Sequence, residues 1–304
     1  MHAARKPENS LPSAGLGRKG SNVAMENAIT AVLTDLNRQR IGIGMQMEKS
    51  THAILKNYKD PEPSHQEVPV GNYIADLCDP AAHTITEIQT ANFGAMRDKL
   101  NAFLKDYKVT IVHPIPHRKT VCWIDPSTGE VCAENPSHFI GSFYEVFREL
   151  AKIETFLTDP NLVIEPLLLD LKEYRMQDGW GNNGKRGSHR FDRIPSGIYD
   201  DLVLAKPEDY AVFLPQGDLA KALPDPFTTK DLERVVGIHR KSLQYSSVLR
   251  VLTTMGVTER VGMTGNRAYQ YRIRIPNETG RDFCRSRTRR LTGQSLIQQV
   301  SQGE

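Results

Sequence analysis

Two carboxylates stand out by their setting. Asp76 closes the apolar run Tyr73-Ile74-Ala75, and Glu87 lies in the alternating, β-branched segment 83–90 (HTITEIQT), followed by Ile88 and Gln89. Both segments carry strand patterning, and Asp79-Pro80 between them predicts the turn of a hairpin. Side chains alternate along a strand, so Glu87 and Gln89 are expected on one face, and the hairpin brings Asp76 beside them. Two carboxylates and a backbone carbonyl at one sheet edge are hard oxygen donors of the kind Mg²⁺ takes while keeping several waters. An ion held there would activate water and stabilise charge on a phosphodiester under attack. For so short a pattern the competing explanation is a solvated strand face.

Hydrophobic spacing predicts the elements that position these residues. Residues 26–40 read as an amphipathic helix with Ile29, Val32, Leu33 and Leu36 on its apolar side. Residues 45–58 read as a second, with Glu48, His52 and Lys56 on one face, stopped by Asp60-Pro61-Glu62-Pro63. A strand over 66–78, the returning strand over 83–90, a helix over 93–107 and strands over 109–115 and 120–124 then imply an α/β sheet with a helical crossover. A helix over 139–157 and an apolar strand over 161–171 follow. The polar, Gly-rich, basic stretch 177–193 reads as an exposed loop closing this domain, and its Trp180 is either a loop anchor or a base-stacking residue. The division expected is a disordered leader (1–24), an α/β body of mixed sheet and flanking helices (25–176), a linker region (177–225), a C-terminal unit (226–276) and a basic tail (277–304).

In the C-terminal unit, helical patterning over 227–236 and 239–255 flanks Gly237, and strands over 257–261 and 267–275 flank a Gly-containing tip. Helix, turn, helix, hairpin resembles a winged helix. The resemblance implies that the second helix enters a DNA major groove and the wing touches the backbone. Arg240, Lys241, Arg260 and Arg267 are then the expected phosphate contacts. Charge points the same way: residues 227–304 hold 14 Lys and Arg against 6 Asp and Glu, a balance of +8, and the total of +3 leaves −5 for the rest. A basic part meets polyanions, and an acidic body can hold a metal. A protein partner for the C-terminal unit is the alternative.

The body resembles the PD-(D/E)xK (restriction-endonuclease-like) nuclease superfamily, in which a helix carries Glu, a strand Asp, the next strand E-x-K, and a helix packs across the sheet. The matching residues, over roughly 45–125, are Glu48, Asp76 in Ile74-Ala75-Asp76-Leu77, and Glu87-Ile88-Gln89. The E-x-Q ending is similar to the variant of competence-associated nuclease-like proteins. The resemblance implies Mg²⁺, or Mn²⁺, held by Asp76, Glu87 and the Ile88 carbonyl, with Glu48 bonding a water on the metal and Gln89 completing the catalytic set. Gln89 stands where the commonest motif has lysine, and an amide orients without bringing charge. Lys99 and Lys56 are the candidates to supply it. The function expected is a metal-dependent endonuclease acting on DNA. The competing reading is a catalytically silent, winged-helix DNA-binding regulator with a nuclease-like body.

Hydrophobic residues at 39% and charged residues at 25% fit a globular protein, and no apolar run is long enough for a membrane helix. The basic N-terminus lacks an apolar core for a secretory signal, so a cytoplasmic location is the default. Four cysteines with no C-x-x-C pair argue against a zinc ribbon. G-x-x-x-x-G-K-[ST] and G-x-S-x-G are both absent, which disfavours a phosphate-loop ATPase and a serine hydrolase. His113 and His117, flanking prolines, read as loop or packing residues. A homodimer is left open.

Overall fold

Helix α1 (Arg18–Arg38) and helix α2 (Ser50–Lys59) bury Met25, Ala28, Ile54 and Leu55 against one face of a large sheet, where they meet Ile88, Val112, Leu167 and Leu169. The computed structural model describes residues 18–38, 50–176, 188–239, 243–279, 281 and 283. Strands β1 (Gln66–Val70), β2 (Tyr73–Asp79) and β3 (Thr84–Ile88) form an antiparallel meander. Helix α3 (Arg97–Phe103) crosses over, and β4 (Lys108–Ile124) returns parallel to β3. Strand β5 (Val131–Ile140) turns back antiparallel on the far half of β4. Helix α4 (Phe147–Leu150) leads to β6 (Leu162–Met176), parallel to β4 on its other edge, and β7 (His189–Asp201) closes antiparallel on β6. The path is β1-β2-β3-β4-β6-β7, with β5 beside β4: a mixed sheet with helices on both faces.

After the short helices α5 (Pro207–Tyr210) and α6 (Asp218–Lys221) come β8 (Phe227–Thr228), α7 (Thr229–Val236), α8 (Tyr245–Thr254), β9 (Thr258–Met263) and β10 (Tyr269–Ile273). The three strands form a small sheet in the order β8-β10-β9. Helix α7 starts on a reciprocal cap between Thr228 and Asp231 and stops at Gly237, whose φ of 71° suits glycine. Among the described residues no helix is long and apolar enough to cross a membrane.

Several expectations change. Helix α1 begins at Arg18, so residues 18–24 are helical rather than leader, and Asn22 Oδ1 accepts the Ile198 N–H at 2.8 Å. The strand expected over 66–78 is two, split by a turn at Gly71 (φ 58°). The two strands expected over 109–124 are one strand of 17 residues. Pro114 and Pro116 do not break it because they lie between the β3 and β5 pairings, where that edge of β4 has no partner strand to miss their N–H groups.

Residues 139–157 are not one helix. Strand β5 runs to Ile140, and only short turns and α4 follow. Gly141 sits so close to β4 that a Cβ there would lie 1.7 Å from the Pro116 carbonyl oxygen. The body does not end at 176 either, since β7, inside the expected linker, completes its sheet. The loop residues 177–187, with Trp180, lie outside the described residues. Helix α8 starts at Tyr245, later than expected, and Arg240 and Lys241 lie outside the described residues.

Among the described residues, the buried side chains of the C-terminal unit are continuous with the core of the body. Leu232, Val236, Tyr245, Val248, Leu249 and Leu252 belong to one cluster with Phe143, Tyr144 and Phe147 around α4. Tyr245 packs on Tyr144 (6.2 Å between ring centroids), and Arg250 Nη2 donates to the Ala151 carbonyl at 2.9 Å.

Candidate functional site

The β2–β3 ladder ends at Leu77 and Thr86, and the next residues along each strand are Asp76 and Glu87. Beyond that point side chains satisfy the backbone. Glu87 Oε1 accepts the Asp76 N–H at 3.2 Å, and Asp76 Oδ2 accepts the Ile88 N–H at 2.8 Å. Each carboxylate is thus bonded to main chain at or next to the other residue, which pins both at the strand fork.

Two helices reach the same point. Lys99 of α3 donates from Nζ to Glu87 Oε2 at 2.6 Å, and His52 of α2 bonds through Nε2 to Asp76 Oδ2 at 3.1 Å. The Glu87 side chain is 4% exposed and that of Asp76 20%. Burial pushes the Asp76 carboxyl up, but the His52 hydrogen bond and charge, the Ile88 N–H and Lys99 override it, holding the group below the usual carboxylate range. For Glu87 the balance reverses: burial and the Asp76 charge outweigh Lys99 and the Asp76 N–H, raising its pKa. The pair therefore has a ready anion in Asp76 and a more easily protonated partner in Glu87.

Gln89 is not part of this group. Strand β3 ends at Ile88, so the alternation expected of Gln89 does not reach it, and its Nε2 donates instead to the Ala91 carbonyl at 2.5 Å. Its own carbonyl accepts from His113 Nδ1 at 2.7 Å. His113 and His117 lie within β4 rather than in a loop, and both are buried. Of the two candidate lysines, Lys56 pairs with Glu67 at 2.6 Å, leaving Lys99 as the cation on the carboxylates. Glu48 lies outside the described residues. Among the described residues no group of three or more His, Cys, Asp and Glu is arranged to hold a metal ion.

On the hairpin, the Arg260 guanidinium lies over the Tyr269 ring, 3.1 Å from its centroid. Arg267 is exposed at the tip with φ 61°, and its N–H donates to the Thr264 carbonyl at 2.9 Å.

An open cleft of about 390 Å³ has lining residues close in the chain to those of the fork. Thr51, one residue before His52, and Thr90, three after Glu87, both line it. Pro114, Pro116, Leu169 and Leu171 supply apolar surface, and Arg190 and Arg193 cationic surface. Beside it the fully buried Glu173 takes Arg175 (2.5 Å), Arg193 (2.7 Å) and Lys119 (3.8 Å). Sequence reading missed this cluster, although Glu173 and Arg175, two apart on a strand, share a face.

Residues 49–205, just over half of the chain, match the family described as "Domain of unknown function (DUF8091)". The chain belongs to this family. The match covers α2 through β7, so it takes in the whole mixed sheet, Asp76, Glu87, Lys99 and Glu173, and leaves out α1 and the C-terminal unit. An uncharacterized protein of Treponema pallidum (strain Nichols) is 27% identical over 198 residues, 63% of this chain and 74% of that protein. No solved structure matches the chain.

Proposed function

We propose that this protein is a metal-dependent nuclease hydrolysing phosphodiester bonds in DNA, its body a restriction-endonuclease-like sheet and its C-terminal unit a winged helix. The observation that carries the reading is the strand fork where Asp76 and Glu87 meet, with Lys99 on Glu87. The order α2, β2, β3, α3 agrees with the PD-(D/E)xK resemblance, the lysine's charge arriving from α3 instead of from position 89. The order β8, α7, α8, β9, β10 agrees with the winged-helix resemblance.

The donors suit Mg²⁺ or Mn²⁺, being hard oxygens: Asp76, Glu87 and the main chain of Ile88 would hold the ion. When bound, such an ion supplies Lewis-acid stabilisation of phosphodiester charge and acidifies water. Lys99 brings the positive charge that Gln89 lacks, and His52 orients the Asp76 carboxylate. Exposed Arg260 and Arg267 are the described wing residues suited to phosphate contact.

The test is cleavage of labelled duplex and single-stranded DNA with Mg²⁺, with Mn²⁺ and with EDTA. Metal-dependent cleavage is expected, abolished by Asp76→Ala. The second reading, a silent DNA-binding regulator, has one observation in its favour: both carboxylates already satisfy backbone N–H groups at the fork, a purely structural use. DNA retarded on a gel but uncut with either metal would select it.

A further inference from the structure

The cleft lined by Thr51 and Thr90 has the composition of a site for part of a polyanion rather than for a whole duplex. Its volume, about 390 Å³, lies at the small-molecule end of the range for ligand sites, roughly 300–1,000 Å³. Pro114, Pro116, Leu169, Leu171 and Phe191 give part of its lining an apolar character. Its rim carries Arg190 and Arg193. Arg193 belongs to a cluster of three cations, with Lys119 and Arg175, around the single carboxylate of Glu173, so this face of the sheet carries a local positive surplus. Asp192 also lines the cleft, its carboxylate accepting the Arg193 N–H at 2.7 Å and bonding the Ser50 hydroxyl.

We propose that this cleft receives one unpaired nucleotide of a DNA strand, its base on the apolar part of the lining and its phosphate at Arg190 and Arg193. The proposal rests on the nuclease reading in taking DNA as the polyanion. A base within a duplex is stacked and paired, and it enters a concave pocket only after leaving the stack. Apolar and aromatic surface accepts the face of any base, while cations beside it follow the backbone. The pairing of apolar lining with cationic rim therefore selects a single strand, or a single-stranded junction or end. Two of its lining residues are close in the chain to the fork, Thr51 adjacent to His52 and Thr90 three residues after Glu87.

The experiment measures fluorescence anisotropy of a labelled short oligothymidylate and of a duplex of equal length on the full chain in EDTA, where cleavage is suppressed. Tighter binding of the strand is expected. Thr90→Trp, which fills the mouth, and Arg190→Glu, which reverses the rim, should each weaken strand binding by about tenfold or more and leave duplex binding unchanged. Both positions are exposed, so both variants should keep the wild-type melting temperature. Equal weakening for strand and duplex, no weakening by either variant, or thymidine monophosphate competing as well as the strand would overturn the proposal. Asp76→Ala is expected to keep strand binding. Loss of cleavage with strand binding intact would remove the nuclease reading alone, and metal-dependent cleavage without strand preference would remove the cleft alone.

Discussion

Lys99 and Gln89 divide the role that one motif position would have held. Lys99 bonds a buried carboxylate, whereas the Gln89 amide closes its own turn on Ala91. On the nuclease reading, Lys99→Ala should lower single-turnover cleavage by roughly two orders of magnitude, as loss of a transition-state charge partner does, while Gln89→Ala stays within roughly one. The reverse ranking would return the role to position 89. Glu173 offers a separate test through stability. Burial raises its pKa, but hydrogen bonds from Arg175 and Arg193 and the charges of Arg193 and Lys119 prevail, so the folded-state value lies below the ordinary 4.5. A depressed carboxyl contributes stability above its unfolded pKa and loses it as pH falls through the folded one. Glu173→Gln should thus destabilise the protein at neutral pH by about 1.5–3 kcal/mol, the worth of hydrogen bonds to a charged group. Denaturant melts at several pH values should show the deficit shrinking below pH 4.5. A deficit independent of pH would show that the cations do not depress this group.

At the scale of elements, the long strand β4 organises the site. It pairs with β6 along nearly its whole length, its first half also pairs with β3, which carries Glu87 of the fork, and its second half also pairs with β5 and supplies Lys119 to the cation cluster. Between the halves, Pro116 contributes to the cleft and Gly141 presses on its carbonyl. Gly141→Ala must move one of these two backbones, a strain expected to cost on the order of 1–3 kcal/mol. Thermal unfolding of the variant checks it, and an unchanged melting temperature would mean that the β5–α4 turn yields freely. Strand β5 and the break-up of the expected 139–157 helix into short turns around α4 escaped the sequence reading for a reason visible here. Nearly every β5 residue is exposed, so the strand has no alternating apolar face, and the apolar 143–157 segment mimics helical spacing while forming short turns whose apolar side chains are mostly buried.

At the scale of the molecule, the charge division along the chain is partly an internal contact. Arg250 pairs with Glu154 at 2.9 Å, Arg272 with Asp225 at 3.1 Å and Arg281 with Asp200 at 2.7 Å, so cations of the basic C-terminal part meet acids that precede it in the chain. Such exposed pairs are worth little singly. The shared apolar cluster around α4 is the larger attachment. Truncation after Asp225 would strip Phe227, Leu232, Tyr245, Val248 and Leu252 from that cluster. The truncated chain is expected to lose cooperative thermal unfolding and to expose apolar surface to a dye such as ANS. A sharp melt near that of the full chain would show the body to be independent after all.

Local pattern was enough for whatever depends on neighbours in the chain. Alternation placed Asp76 and Glu87 on adjacent strands, and the turn between those strands made them meet. The C-terminal helices and hairpin were legible from apolar spacing and glycine punctuation, give or take the start of α8. Only the tertiary structure decided between Lys99 and Lys56, because both helices approach the fork and the choice turns on which lysine reaches Glu87 and which is taken by Glu67, not on spacing. It also decided that β7 belongs to the sheet, that Glu173 gathers cations from three strands, and that body and C-terminal unit share one core. Those contacts join residues far apart in the chain, and burial against a distant partner leaves no periodic mark on the segment that supplies it.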